Sequence, residues 1–283
     1  MQQNKKKILT LIASIAAIVI IYVVYEHASF ITTDNSQVFG HSLMLSPKVS
    51  GYITKVLVSE GQKVKAGDVL IEIDSRDYEN NVRQVKGELA SIEARKRDAE
   101  KNYRRLVELY SKNAVSQQQF DTATAQYNDV KAKYEAIASQ VSQAELNLSN
   151  IKIIAPTDGF IAKKSAEVGQ LASAGVPLLG FVDSNERWIV ANFKETEIES
   201  VKLNAKVDIE VDAIKTKSFS GLVESISSAT GATFTLLPPD NATGNFTKVV
   251  QRVPVRIKFE NLSEEDIAKL KTGLSAVVKV HKR

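Results

Sequence analysis

The sequence predicts an α+β protein: a membrane-spanning helix, two helices that form a long antiparallel hairpin between the halves of a small β-sandwich, and a β-rich C-terminal segment. Three observations indicate this organisation. They are an uncharged apolar segment near the N-terminus, a glycine-containing motif that occurs twice, and a helical stretch between its two copies. The chain has 283 residues, which suffices for one to three domains.

The first element is the apolar segment 8–25, which contains 18 consecutive residues without a charge. As a helix it spans about 27 Å, close to the thickness of a bilayer's hydrocarbon core. A cleaved signal peptide is the alternative, but the segment is longer than a usual signal core, and Glu26, His27 and Ala28 form a poor cleavage site. Lysines at 5–7 precede it, so residues 1–27 are predicted to be a cytoplasmic tip and a single-pass anchor, with the rest across the membrane.

The second element is a repeat that relates residues 46–74 to residues 155–183. Both copies contain a small residue and a proline, then Gly-aromatic-Ile, then two further glycines. The spacing is the same, 10 and 6 residues, for the two sets of glycines, which are Gly51, Gly61, Gly67 and Gly159, Gly169, Gly175. Each copy is predicted to form short strands with these glycines at turns that need a positive φ. Because neither half-motif, 46–74 or 152–183, can bury a core alone, the two should pair into one sandwich.

Residues 75–151, between the half-motifs, have the pattern of an α-helical coiled-coil hairpin. Apolar residues alternate at spacings of four and three from position 78 to 110 and again from 120 to 151. The positions of the two series can be paired in order, starting at the turn. Tyr110 then lies opposite Phe120, Tyr103 opposite Tyr127, and Lys96 opposite Tyr134. The arms, of about 36 residues each, would project about 55 Å.

The turn between the arms also has a local explanation. Asn113 can adopt the left-handed conformation that ends a helix. Ser116 and Gln119 have the spacing of a capping box, and Val115 and Phe120 have that of a hydrophobic staple. Ser116 can therefore be explained by helix capping alone.

Composition limits the possible functions. The net charge of +4 is spread along the chain, apart from the lysines at 5–7, which argues against a nucleic-acid partner. Cysteine is absent, so disulfides, thiolate zinc sites and thiol nucleophiles are excluded. His27, His41 and His281 do not have metal-ligand spacing, and no glycine-rich loop precedes Lys-Ser or Lys-Thr. We therefore expect no catalytic residue, no metal and no cofactor.

This order of elements resembles the membrane fusion proteins, the periplasmic adaptors of HlyD type in tripartite efflux and secretion systems. The half-motifs resemble the halves of a lipoyl or biotinyl carrier domain. The stretch "RLVELYSKNAVS" is similar to the family's hairpin-tip pattern, which falls on Arg105, Leu106, Leu109 and Ser116. The resemblance implies that these four residues dock on a TolC-like outer-membrane channel, and for Ser116 this role is compatible with capping.

The flanking segments resemble one branch of this family. Residues 28–45 and 184–283 are similar to the adaptors' β-barrel domain, and residues 227–259 resemble EmrA-type adaptors, which serve multidrug exporters of the major facilitator class. The resemblance further implies a homo-oligomer in which lipoyl-like domains lie side by side, with the six repeat glycines shaping their turns.

The expected function is therefore that of a non-enzymatic periplasmic adaptor, held in the inner membrane by one helix. It would link an inner-membrane exporter, of major facilitator or alternatively ABC type, to a TolC-like channel that releases toxic hydrophobic compounds. Three alternatives stay open: an adaptor of an ABC-type secretion system, a lipoyl or biotinyl carrier subunit, and a purely structural coiled-coil spacer. The carrier would need a lysine at the tip of a short β-hairpin, where this chain has about 80 residues of predicted coiled coil.

Overall fold

The computed structural model describes residues 26, 29–231, 233 and 249–282. The predicted anchor at 8–25 and much of the EmrA-like segment at 227–259 lie outside these residues. Within the described ranges, no helix is long and apolar enough to cross a membrane.

The described residues form two compact units, one of residues 43–181 and the other of the residues before 43 and after 181. In chain order, the elements are β1 (Phe30–Leu45), β2 (Gly51–Val56), β3 (Lys63–Val64), β4 (Val69–Ile73), α1 (Arg76–Ser111), α2 (Gln117–Ser149), β5 (Lys152–Ile154), β6 (Gly159–Lys164), β7 (Leu171–Ala172), β8 (Leu179–Lys194), a 3₁₀ helix (Ile198–Ser200), β9 (Lys206–Val211), β10 (Ser218–Ile226), β11 (Arg252–Phe259), α3 (Glu264–Lys269) and β12 (Ser275–His281).

Helices α1 and α2 pack against each other as an antiparallel hairpin. The Tyr110 and Phe120 rings stack with centroids 4.9 Å apart, and the Tyr103 and Tyr127 rings stack at 5.2 Å. Farther from the turn, the Lys96 ammonium lies 4.0 Å from the centroid of the Tyr134 ring. These contacts confirm the predicted register. The buried residues of the contact between the helices are Val82, Ile92, Ala123, Val130, Val141 and Ala144.

At the base of the hairpin, strands from the two half-motifs pair with each other. Strand β2 pairs with β7, β3 with β6, and β4 with β5, all antiparallel. Together with the start of β8, these strands form one hydrophobic core that includes Ile53, Leu70, Ile71, Ile161, Leu179 and Phe181. The two short motifs thus bury a common core that neither could form alone.

The repeat glycines fall into two classes. A positive φ, as predicted, occurs at Gly61, Gly67, Gly169 and Gly175. The prediction was wrong for Gly51 and Gly159, which begin β2 and β6 rather than occupy such turns. At Gly51 the reason is packing, because a Cβ atom would lie 2.6 Å from Cγ2 of Ile73. The glycine there is needed for close approach and not for its φ angle.

The other unit is a β-barrel. Its strands follow the order β1, β12, β9, β10, β11 and β8, and β1 also pairs with β8 to close the ring. The side chains directed inward form a second core, with Ile189, Phe193, Ile209, Ile257 and Val278 fully buried.

The short helix α3 is attached to the barrel by an ion pair. The Lys217 ammonium donates to both carboxylate oxygens of Asp266 at 2.7 Å, and Asp266 also caps α3 together with Ser263. Donation from Lys217, and then from Ser263, lowers the pKa of the Asp266 carboxyl to about 2. The carboxylate is therefore stabilised in its charged form by the folded structure.

We expect the buried contact between the hairpin helices to determine hairpin stability. Val130→Ala should lower the free energy of unfolding by about 2 kcal/mol, because it removes two buried methyl groups. The matched change Val107→Ala, at a residue 40% exposed in α1, should cost less than about 0.5 kcal/mol. Urea denaturation followed by far-ultraviolet circular dichroism measures both, and equal losses would contradict the packing described here.

We also expect acid sensitivity from Asp266. A carboxyl whose pKa is lowered on folding stabilises the protein above its unfolded pKa, and this contribution is lost as the pH falls through the folded pKa. The stability difference between the wild type and Asp266→Asn should therefore shrink as the pH falls from the ordinary value of 3.8 towards about 2. Thermal unfolding of both proteins across this range tests the expectation, and a constant difference would refute it.

Candidate functional site

The candidate site is the hairpin tip, where five residues, 112–116, connect α1 to α2. The Ala114 N–H donates to the Leu109 carbonyl at 2.9 Å, and the Asn113 N–H donates to the Tyr110 carbonyl at 3.0 Å. Asn113 has a φ of +54°, which confirms its predicted left-handed conformation. These two bonds form a Schellman motif, which ends α1 and satisfies the carbonyls of Leu109 and Tyr110.

Helix α2 begins with the predicted capping box. The Gln119 N–H donates to Ser116 Oγ at 3.3 Å, and the Ser116 N–H donates to Gln119 Oε1 at 3.1 Å. Val115 and Phe120, the two staple positions, are both half-buried. The turn therefore has a defined backbone geometry on both sides, which sets where the side chains around it leave the backbone.

The structure places the four predicted docking residues around this turn. Arg105 and Ser116 are exposed, while Leu106 and Leu109 are half-buried. Spacings of three and four residues bring Arg105, Leu106 and Leu109 onto one flank of α1. Within the described part of the chain, the Arg105 guanidinium makes no hydrogen bond or ion pair, whereas the neighbouring Arg104 pairs with Glu100 at 2.5 Å. The tip thus presents one cation that is available to a partner.

Leu106 and Ser116 also line a shallow groove between the two helices, which Arg105 and Leu109 do not. The other lining residues are Asn102, Gln118, Gln119, Thr122, Ala123 and Gln126. Four of the lining residues were not predicted as site residues from the sequence, namely Asn102, Gln118, Thr122 and Gln126. The signal that could have found them is the uncharged polar side chain at every fourth position of α2, at 118, 122 and 126.

The chemistry available at the tip is that of binding. Side-chain amides and hydroxyls offer hydrogen-bond donors and acceptors, and Arg105 adds one positive charge. Across the described residues, no three His, Cys, Asp or Glu side chains lie close enough together to hold a metal ion.

The sequence matches a known family and named relatives. Residues 42–183 match the family model for the barrel-sandwich hybrid domain of RND membrane fusion proteins. The multidrug export protein EmrA of Haemophilus influenzae is 32% identical over 298 residues, which cover 89% of this chain and 76% of the relative. The colistin resistance protein EmrA of Acinetobacter baumannii is 30% identical over 336 residues, covering 98% of this chain and 95% of the relative.

Solved structures are similar in fold. The periplasmic adaptor protein EmrA has a TM-score of 0.52 at 17% identity and covers 90% of this chain and 99% of that structure. The membrane fusion protein Spr0693 from Streptococcus pneumoniae R6 has a TM-score of 0.65 at 16% identity, covering 89% and 97%. The predicted class of mixed helices and strands with a barrel is thereby confirmed for the described residues.

The capping role of Ser116 can be measured separately from any docking role. Ser116→Ala should speed hydrogen exchange at the Gln119 amide about fivefold, because losing an N-cap acceptor costs about 1 kcal/mol. Ser116→Asp retains an acceptor and should keep exchange near the wild-type rate. Exchange measured by NMR on both variants tests this expectation. The same rate in Ser116→Ala as in the wild type would show that the cap contributes nothing.

Proposed function

This chain belongs to the membrane fusion protein family, and we propose that it is the periplasmic adaptor of a tripartite efflux pump related to the EmrA systems. The observation that carries the proposal is the hairpin itself. Its arms of 36 and 33 residues are held in one register and end in a capped turn, beside which Arg105 has no ion-pair partner among the described residues. Such an arm reaches about 50 Å from its base.

In this proposal residues 8–25 hold the chain in the inner membrane, with the N-terminus in the cytoplasm and the body in the periplasm. The apolar length and the preceding lysines support this orientation. A single helix of this kind contains no Asp, Glu, Lys, Arg or His with which to couple proton movement, so the energy for export comes from the partner transporter.

The partner transporter is proposed to be a major facilitator exporter, and the cargo toxic hydrophobic compounds. Support comes from relatives named as multidrug export proteins and from the EmrA-like segment 227–259. An ABC-type exporter is the alternative.

We further propose that the chain works as a homo-oligomer. The carrier function is disfavoured, because α1 and α2 occupy the connection between β4 and β5.

The transporter class can be tested by affinity purification from gently solubilised native membranes, with bound proteins identified by mass spectrometry. We expect a major facilitator exporter together with an outer-membrane channel. An ABC exporter in place of the first would keep the adaptor role and change the transport class. Recovery of neither partner with an intact oligomer would contradict the proposal.

The proposed docking role of the tip can be tested by substitutions. Arg105→Asp and Ser116→Arg should each reduce efflux about tenfold or more, because like-charge contacts or bulk at an interface cost several kcal/mol. Arg104→Asp is the matched control, since its side chain pairs within α1 and should leave efflux nearly unchanged. The readout is resistance to toxic hydrophobic compounds at equal membrane levels of each protein. Wild-type resistance in the first two variants would remove the docking role.

A further inference from the structure

The groove at the hairpin tip is lined by uncharged residues. We name it the amide face and define it by Asn102 on α1 and by Gln118, Thr122 and Gln126 on α2, all of which line the groove described above. None of the groove's eight lining residues is charged, although a quarter of the whole chain is. Residues two positions apart lie on opposite sides of a helix, so Arg104, which pairs with Glu100, faces away from Asn102.

The amide side chains on this face are not used internally. Within the described residues, the side chains of Asn102, Gln118 and Gln126 make no hydrogen bond. Elsewhere on the hairpin, Gln84 and Gln143 each donate to the side chain four positions ahead, at 3.3 and 3.0 Å. The amide face therefore keeps both donors and acceptors available for another molecule.

Between the amides, the groove has an apolar floor. Ala123 is 6% exposed and Leu106 is half-buried, and both line the groove. A small residue such as Ala123 allows a third helix to approach closely, while the surrounding amides can bond its polar side chains. A charged partner surface would lose its hydration here without meeting an opposite charge, which is unfavourable.

We infer that the amide face is a specificity surface that accepts a helical segment of the exit channel bearing small and uncharged polar side chains. The inference depends on the proposed docking function and extends the site beyond Arg105, Leu106, Leu109 and Ser116. In this arrangement Arg105 contributes charge at the edge of the contact, and the amide face selects against charged partners in its groove.

Isosteric charge substitutions test the inference. Asn102→Asp and Gln126→Glu should each reduce the outer-membrane channel recovered with the purified adaptor about tenfold, because the new carboxylate would lose hydration in the groove without meeting an opposite charge on the uncharged partner helix. Asn128→Asp is the matched control: it is exposed on α2, but two positions from Gln126 and thus on the other side of the helix. It should recover the channel as the wild type does.

The variants also control for local effects. Asn102→Asp has Arg105 three positions ahead, and Asn128→Asp has Lys131 three positions ahead, so each new carboxylate has one basic residue at the same helical spacing. Gln126→Glu has no basic residue within one turn of α2 on either side, so its new carboxylate has no ion-pair partner along its own helix. A normal yield of channel with both groove variants would overturn the inference.

Cross-linking identifies the occupant of the groove. The chain has no cysteine, so Gln126→Cys and Asn128→Cys each carry a single site for a photoactivatable maleimide. We expect Gln126→Cys to cross-link to the channel in native membranes and Asn128→Cys not to do so. A cross-link from Gln126→Cys only to a second copy of the chain, or equal cross-linking at both positions, would refute the inference.

Failure of the inference can be told apart from failure of the proposed function. If Arg105→Asp and Ser116→Arg lose the channel while Asn102→Asp and Gln126→Glu retain it, docking stands and the amide face has no role in it. If all four variants retain the channel, both the docking function and the inference are wrong.

Discussion

The register between α1 and α2 is the constraint on which the other features depend. The stacked pairs Tyr103 with Tyr127 and Tyr110 with Phe120 align the helices near the turn, and the buried side chains hold that alignment towards the base. A slip of one helical turn, about 5.4 Å, would separate these partners and offset β4 from β5. The same alignment that shapes the tip therefore also lets the two half-motifs meet in one core.

The parts of the fold that are encoded locally could be predicted from the sequence. Periodicity gave the hairpin register, and capping chemistry gave Asn113 and Ser116, because each depends on residues close along the chain or on a simple repeat. Gly51 was misassigned because its role depends on Ile73, which meets it only through the pairing of β2 with β4. Closure of the barrel by β1 and β8 likewise joins distant segments, so the family resemblance predicted a barrel but not which strands close it.

The candidate site, too, could be predicted from the sequence only in part. The motif identified Arg105, Leu106, Leu109 and Ser116 through resemblance, but the groove requires both helices at once. Asn102 and Gln126 are 24 positions apart and lie on the same groove only because the hairpin folds back on itself. A polar pattern on one helix has no meaning for binding until the partner helix and its register are known.

Capping and the proposed docking role place different demands on Ser116. Its hydroxyl oxygen already accepts the Gln119 N–H and lies 3.4 Å from Gln119 Oε1, so its hydrogen-bonding capacity is largely used within the turn. Ser116 would then favour binding of a partner because its side chain is small and leaves the end of the groove open, and not because it forms a new hydrogen bond. On that view the charge of Arg105 assists encounter, an effect that salt screens, whereas the uncharged groove supplies a selectivity that salt barely changes.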